Sequence, residues 1–370
     1  MEYIYIGTRG LSSAAIEHLD THKRRPLSHN TIVFFDMAPA NKYAEAAVNF
    51  QGPGDARPTA LQIIDDENMR GKLAGAVVLI TGTAAGLGVE TVRAMAATGA
   101  TVFCAARDES KNRAALAGVD GKLEFLTLDL ASFASVRAGA KEFLERSGGK
   151  LNILINNAGV MAVPEQRRTV DGFETQFAVN HLGHFLLFQL VKQALLDSST
   201  PEFHSRVVNL SSGGHHITGI HAGNYNLDGQ YNDWLAYGQS KTANIYMTNA
   251  IERKYGPKGL HGLAVHPGNI ITSLQRHLQE DFVQMMRSDE KINRSFKSVE
   301  QGAATTVFAA VSKEYEGKGC VYLQDCGDWG LATKKDFGPT DQGYAKHAID
   351  PEQEERLWTD SCKMVGIQEA

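Results

Sequence analysis

From residue 76 onward the chain alternates short apolar runs with longer helical stretches, and this alternation limits the fold more than any other feature. The runs fall at 77–80, 101–106, 123–128, 151–155, 206–210, 261–265 and 319–323. Between them, 87–98, 109–118, 132–147, 170–196 and 231–255 read as helices. Runs such as Val77-Val-Leu-Ile80 have no polar face, which marks a strand covered on both sides. Strands that alternate with helices form βαβ units and pair in parallel, and right-handed crossovers put helices on both faces. The expected fold is therefore α/β, a doubly wound parallel seven-stranded sheet.

The regular region, 75–335, reads as one domain. A lead-in segment at 59–74, with a short helix within 60–72, precedes it, and a C-terminal segment at 336–370 is expected to pack on it. Residues 1–58 read as an N-terminal extension of uncertain order, closed by the turn-rich Gln51-Gly-Pro-Gly-Asp-Ala-Arg-Pro58. A net charge of -5 gives no reason to expect nucleic acid or an acidic membrane surface as a partner. No apolar run approaches the roughly 20 residues of a membrane span. The N-terminal apolar stretch, Tyr3 to Ile6, is too short for a secretory signal, and Glu2, Glu17 and Asp20 interrupt the region. Cys104, Cys320, Cys326 and Cys362 form no metal-like spacing, so no metal is predicted, and their scarcity fits a reducing, cytoplasmic compartment.

Thr81-Gly-Thr-Ala-Ala-Gly-Leu-Gly88 lies directly between the first strand and the first helix. There the N-terminus of a helix meets the pyrophosphate of a dinucleotide. Gly82 permits the tight turn, and Gly86 and Gly88, flanking Leu87, let backbone approach phosphate and helix approach strand. At the end of the second strand, an acidic side chain would bond the adenosine ribose of NAD. This chain has Arg107 instead, whose forked donors match the 2′-phosphate that distinguishes NADP. NADP is therefore the expected cofactor.

The spacing GxxxGxG, rather than GxGxxG, resembles the glycine turn of the short-chain dehydrogenase/reductase family, and further motifs extend the resemblance over about 75–365. It implies a Rossmann dinucleotide-binding sheet. It also implies that Asp129, ending the third strand, contacts the adenine, and that Asn157 of Asn156-Asn-Ala-Gly159 lies near the adenosine ribose. Ile270 and Thr272, after His266-Pro-Gly268, would lie near the nicotinamide carboxamide. Tyr237 and Lys241, four apart on one helix face, are neighbours by geometry. A cation beside a phenol stabilises phenolate and lowers its pKa, which suits a tyrosine to general acid/base work. The resemblance places the catalytic serine at Ser212, with Ser211 the alternative, and gives Asn180 a proton-relay role beside the lysine.

The C-terminal stretch, with Glu300-Gln-Gly-Ala-Ala304 and Leu357-Trp358, is similar to the retinol-dehydrogenase-like and WW-oxidoreductase-like branch. Fungal members of that branch, many serving secondary-metabolite pathways, are the most similar. The implied function is NADP-dependent hydride transfer between a carbonyl and an alcohol, with an apolar small-molecule substrate. A catalytically silent NADP-binding regulator and an epimerase or dehydratase on the same fold are the alternatives. Relatives often pair through the two long helices, so a homo-oligomer is a further expectation. Residues 273–297, with Phe282, Met285 and Met286, are expected to form an amphipathic lid, and His215, His216 and His221 to line the substrate mouth.

Overall fold

The computed structural model describes residues 42–278, 280–334 and 337–368. Most of the N-terminal extension, 1–41, lies outside the described residues. The chain enters through α1 (Ala44–Val48) and α2 (Ala60–Asp66), then alternates β1 (Val77–Thr81), α3 (Leu87–Ala97), β2 (Thr101–Ala106), α4 (Glu109–Ala115), β3 (Lys122–Thr127), α5 (Phe133–Ser147) and β4 (Ile153–Asn156). The second half runs α6 (Thr175–Phe177), a π turn (Ala178–Leu182), α7 (Gly183–Ser198), β5 (Ser205–Leu210), α8 (Asp233–Tyr255), β6 (Leu260–His266) and the short β7 (Asn269–Ile270). It continues with α9 (Glu280–Ser288), α10 (Glu290–Ser295), β8 (Phe296–Lys297), α11 (Val299–Gly302), α12 (Ala304–Val311), β9 (Val321–Gln324), β10 (Gly327–Asp328) and α13 (Pro351–Met364).

The main sheet has the order β10-β9-β6-β5-β4-β1-β2-β3. All neighbours are parallel except β10 on β9. The seven expected strands are present, and the sheet has eight because the chain doubles back after β9. Asp325 and Cys326 adopt positive φ (49° and 56°) to make that turn, and a two-residue strand carries no periodicity that a sequence pattern could reveal. Strand order reverses between β1 and β4, which opens the crevice where such sheets hold ligands.

β1 shows why the strands lack alternation. Val78 and Ile80 face a layer built from α2, α3 and α12, with Ile63, Ile64, Val92, Met95 and Val307. Val77 and Leu79 face the opposite layer, with Phe143, Phe185 and Ile251 from α5, α7 and α8. Burial on both sides removes the need for a polar face. In α8 every residue from Ala236 to Ile251 is buried, because α13 covers the side that β5 and β6 do not. Trp358 of α13 meets Phe185 edge-on at 4.9 Å and Phe188 at 6.0 Å.

One expected helix begins later than its sequence suggests. The stretch 170–196 becomes helical only at Thr175, where the Glu174 carboxylate accepts from the backbone N–H groups of Gln176 (2.9 Å) and Phe177 (2.7 Å). Gly172, at φ 87°, makes the preceding turn. The helix then widens into the π turn before α7.

Candidate active site

The C-terminal ends of the parallel strands converge on one edge of the sheet, and the motif residues sit there because each ends a strand. The Gly82–Gly88 turn follows β1, Arg107 follows β2, Asp129 follows β3, Asn157 follows β4, and Ser211 and Ser212 follow β5. Two cavities open along this edge. One, of about 360 Å³, is lined by Gly82, Gly86, Leu87, Gly88, Arg107, Asp129 and Asn157 among others. The second, of about 810 Å³, is lined by Ser212, Tyr237, Lys241, Ile270 and Thr272 together with a largely apolar wall. Leu87, Asn157, Gly159, Thr272 and Leu274 border both, so the two form one trough.

The first cavity suits a dinucleotide. Helix α3 starts at Gly86 with no side chain capping it, whereas α2, α4 and α5 are capped by Thr59, Asp108 and Ser132. Val89 N–H donates to the Gly86 carbonyl at 3.1 Å, and the N–H groups before it, with the positive end of the dipole, suit an anion. Gly88 is needed for packing, since a Cβ there would lie 2.1 Å from the Gly82 carbonyl oxygen. The Asn157 amide donates to the Thr81 carbonyl at 2.8 Å and so fixes the turn while bordering the cavity. Arg107, Lys111 and Arg276 supply cations to the wall, and Arg107 makes no ion pair among the described residues.

At the second cavity, Tyr237 and Lys241 share the buried face of α8 at 4% exposure each. The lysine Nζ lies 5.6 Å from the centre of the tyrosine ring and donates to the Leu210 carbonyl at 3.0 Å. Burial pushes the Tyr237 phenol up to about 12, opposed by a hydrogen bond with Ser212. Burial brings Lys241 down to about 8. Burial, rather than the lysine charge expected from their spacing, sets the direction of both shifts in the protein alone.

The two serines diverge. Ser211 is buried and donates to the Lys241 backbone carbonyl at 2.9 Å, which ties β5 to α8. Both serines border the cavity, but among the described residues the Ser212 Oγ is not tied to α8 backbone and accepts from the Gly214 N–H at 3.1 Å. Gly214 must be small, because a Cβ there would lie 2.8 Å from the Tyr237 ring.

Asn180 sits in the π turn, a geometry often found at functional sites. Its Oδ1 accepts from Val160 N–H at 2.8 Å, and its Nδ2 donates to the Val160 carbonyl and to Ser240 Oγ, both at 2.9 Å. A Cβ on Gly159 would lie 3.3 Å from Asn180 Oδ1 and 3.5 Å from Lys241 Nζ, so these two groups flank one small space.

The wall combines residues that the sequence singled out, His216 and His266, with Trp234 and Phe337, which carry no motif. His216 stacks on Phe337 with ring centres 3.4 Å apart, and both border the cavity with Trp234 and His266. His266 is drawn down to about 4, chiefly by burial. Among the loop histidines, His216 faces the cavity. His215 is fully buried instead, its Nδ1 2.6 Å from the Ser212 carbonyl and its Nε2 accepting from Ala345 N–H at 3.0 Å. His221 contacts Thr218 Oγ1 at 3.0 Å and lies outside the cavity lining. Met286 borders the cavity, while the side chains of Phe282 and Met285 lie outside the described residues. The expected lid is two helices, α9 and α10, ending in β8. The sequence pointed separately to His216, to Ile270 and Thr272, and to the stretch from 273, but gave no sign that Ala332, Phe337 and Ala345 join them in one wall.

Residues 76–282 match the family model described as short chain dehydrogenase. The chain is 50% identical over 342 residues to the short-chain dehydrogenase/reductase prx1 of Penicillium roqueforti, covering 92% of this chain and 99% of that one. It is 42% identical over 342 residues to the oxidoreductase calI of Penicillium decumbens (89% and 98% covered). To retinol dehydrogenase 12 of Mus musculus it is 36% identical over 304 residues (80% and 88% covered). Among solved structures, an uncharacterized protein from Mycobacterium paratuberculosis superposes with a TM-score of 0.61 at 32% identity, over 80% of this chain and 96% of that one. The Pseudomonas aeruginosa RhlG/NADP complex shares the fold, with a TM-score of 0.56 at 24% identity over 69% and 96% of the two chains.

Proposed function

The chain belongs to the short-chain dehydrogenase/reductase family, in its retinol-dehydrogenase-like branch, and is an oxidoreductase. From that premise we propose that it interconverts a carbonyl and an alcohol with NADP(H), using Tyr237 as the proton donor and acceptor. The observation that carries this reading is the buried Tyr237–Lys241 pair beside Ser212, at the point where an apolar cavity of about 810 Å³ joins the trough of the glycine turn.

The uncapped start of α3, with Gly82, Gly86, Leu87 and Gly88, would hold the pyrophosphate, and Arg107 the 2′-phosphate. Asp129 and Asn157 would contact the adenosine, and Ile270 and Thr272 the nicotinamide. Bound there, NADP(H) supplies or takes up the hydride. The Ser212 hydroxyl donates to the substrate oxygen as negative charge builds on it. Tyr237 gives that oxygen its proton, and the Lys241 ammonium stabilises the phenolate left behind. Asn180, held on both sides by Val160, borders the space through which Lys241 can exchange protons. Trp234, Met161, Ile217 and Phe337 make the wall apolar, which supports an apolar substrate. The similarity to Penicillium relatives supports placing the reaction in fungal secondary metabolism.

A panel of apolar aldehydes and ketones, followed by nucleotide consumption, tests the reading. We expect turnover with kcat/KM at least about tenfold higher with NADPH than with NADH, a preference of roughly 1.4 kcal/mol. A preference for NADH would overturn the cofactor assignment, and no nucleotide consumption with any carbonyl would overturn the reaction.

A further inference from the structure

Residues 52–57 lie outside the region matched by the family model, which begins at residue 76, yet they carry one of the most heavily bonded side chains in the protein. Arg57 is 5% exposed. Its guanidinium donates to the carbonyls of Ser295 (2.8 Å) and Phe296 (2.6 Å), to Gly52 (3.3 Å), and to both oxygens of Asp55 (2.9 and 3.0 Å). Burial pushes the Asp55 carboxyl up, but hydrogen bonds from Arg57 and Gln51 outweigh it and hold Asp55 below its usual range. Of the carbonyls that Arg57 takes, that of Ser295 belongs to the last turn of α10, where a cation also suits the helix dipole.

The same short segment grips the next element. Gln301 caps α11 through Ser298, and its amide also donates to the carbonyls of Asp55 (3.1 Å) and Arg57 (2.9 Å) while accepting from Gly54 N–H (2.9 Å). Between the two grips lies β8. Phe296 borders the substrate cavity and pairs with Asn269 of β7. Lys297 pairs with Asp325 at 2.6 Å and donates to the Pro267 carbonyl at 3.0 Å. Beyond it, Gly302 packs so tightly that a Cβ would lie 2.6 Å from both Ile270 and Leu87.

We propose that the segment 52–57, through Arg57, is a clamp that fixes the far end of the cavity-covering segment 273–297, and that Arg57 is a positioning residue for substrate binding. Tyr237, Lys241 and Ser212 stand on α8 and at the end of β5, which the clamp does not touch. Its loss therefore loosens Phe296 and the β7–β8 pair while the proton-transfer groups stay in place. The kinetic consequence rests on the oxidoreductase reading above; the mechanical one does not.

The test compares Arg57→Ala and Arg57→Lys with the intact protein by carbonyl kinetics and by amide hydrogen exchange. Lysine keeps a charge beside Asp55 but gathers its three donors on one compact ammonium, which cannot span Asp55 and the Ser295 and Phe296 carbonyls as the five-donor guanidinium does. We expect Arg57→Ala to raise the carbonyl KM about tenfold with kcat nearly unchanged, and Arg57→Lys to recover part of that loss. Exchange should quicken at Asn269, Ile270, Phe296 and Lys297 while β1, β4 and β5 keep their protection. An unchanged KM together with unchanged exchange at β7–β8 would overturn the clamp. So would quickened exchange spread evenly over the sheet, since that reports only a less stable fold. If no carbonyl is turned over even by the intact protein, the oxidoreductase reading fails, and the exchange pattern alone decides the clamp.

Discussion

Burial drives Tyr237 and Lys241 both towards their uncharged forms, the phenol to about 12 and the amine to about 8. The lysine then titrates within an accessible range. Its folded value lies below the ordinary 10.5, so the cost of burying the ammonium is present below about pH 8 and is relieved as pH rises from there towards 10.5. Under the proposed mechanism activity follows the opposite course, because the charged form is the one that stabilises phenolate. We expect kcat/KM for carbonyl reduction to be level at low pH and to fall as pH rises through about 8, as measured on the free enzyme. A profile that stays level up to the ordinary lysine value of 10.5 would show that Lys241 does not govern the step. At this scale the sequence was informative where spacing dictates geometry, as for Tyr237 and Lys241 one helical turn apart. It was silent on the balance between attraction and desolvation, which depends on how deeply α8 is covered. It also could not separate Ser211 from Ser212 by itself, because adjacent residues at a strand end differ only in which way the turn points them.

The elements that were readable are those long enough to show a pattern. The seven apolar runs became the seven parallel strands, and α8 begins at Asp233 against an expected 231. The two-residue strands β7, β8 and β10 and the π turn at Ala178–Leu182 left no pattern, since each depends on partners far away in the chain. α13 shows how much one element supports the site without reaching it. Trp358 is 1% exposed and packs on Phe185 and Phe188 of α7, and the Glu354 carboxylate accepts from Asn249 at 2.8 Å and pairs with Arg253, both on α8. Trp358→Ala should therefore destabilise the fold by about 3–5 kcal/mol, read from denaturant unfolding. A loss below about 1 kcal/mol would mean that α13 is a loosely held appendage rather than a wall of α8.

Across the whole molecule, the chain wraps a shared sheet with segments of its own. Residues 42–58 lie against α11, α12 and β8, with Tyr43 packed on Phe308 and donating to Asp66 at 2.7 Å. At the other end, α13 lies over α8 and α7, the two long helices expected from the family resemblance as a pairing surface. A second copy approaching from that side would meet α13 first. The N-terminal cover was not readable in advance: the turn-rich 51–58 suggests a linker, and only the folded chain shows that Arg57 reaches the carbonyls of Ser295 and Phe296. The trough itself was readable, because strand ends, glycine turn and YxxxK spacing all fall on one edge of a parallel sheet. In the proposed reaction, proton transfer depends on a single phenol. Replacing Tyr237 with Phe removes one oxygen from a buried site and leaves the glycine turn and Arg107 untouched. Carbonyl reduction and NADPH binding, measured side by side on Tyr237→Phe, give the most direct test. The expected result is a fall of about 10²–10⁴ in kcat with the NADPH dissociation constant nearly unchanged. Turnover within a few-fold of the intact protein would contradict the assignment of Tyr237 as the proton donor.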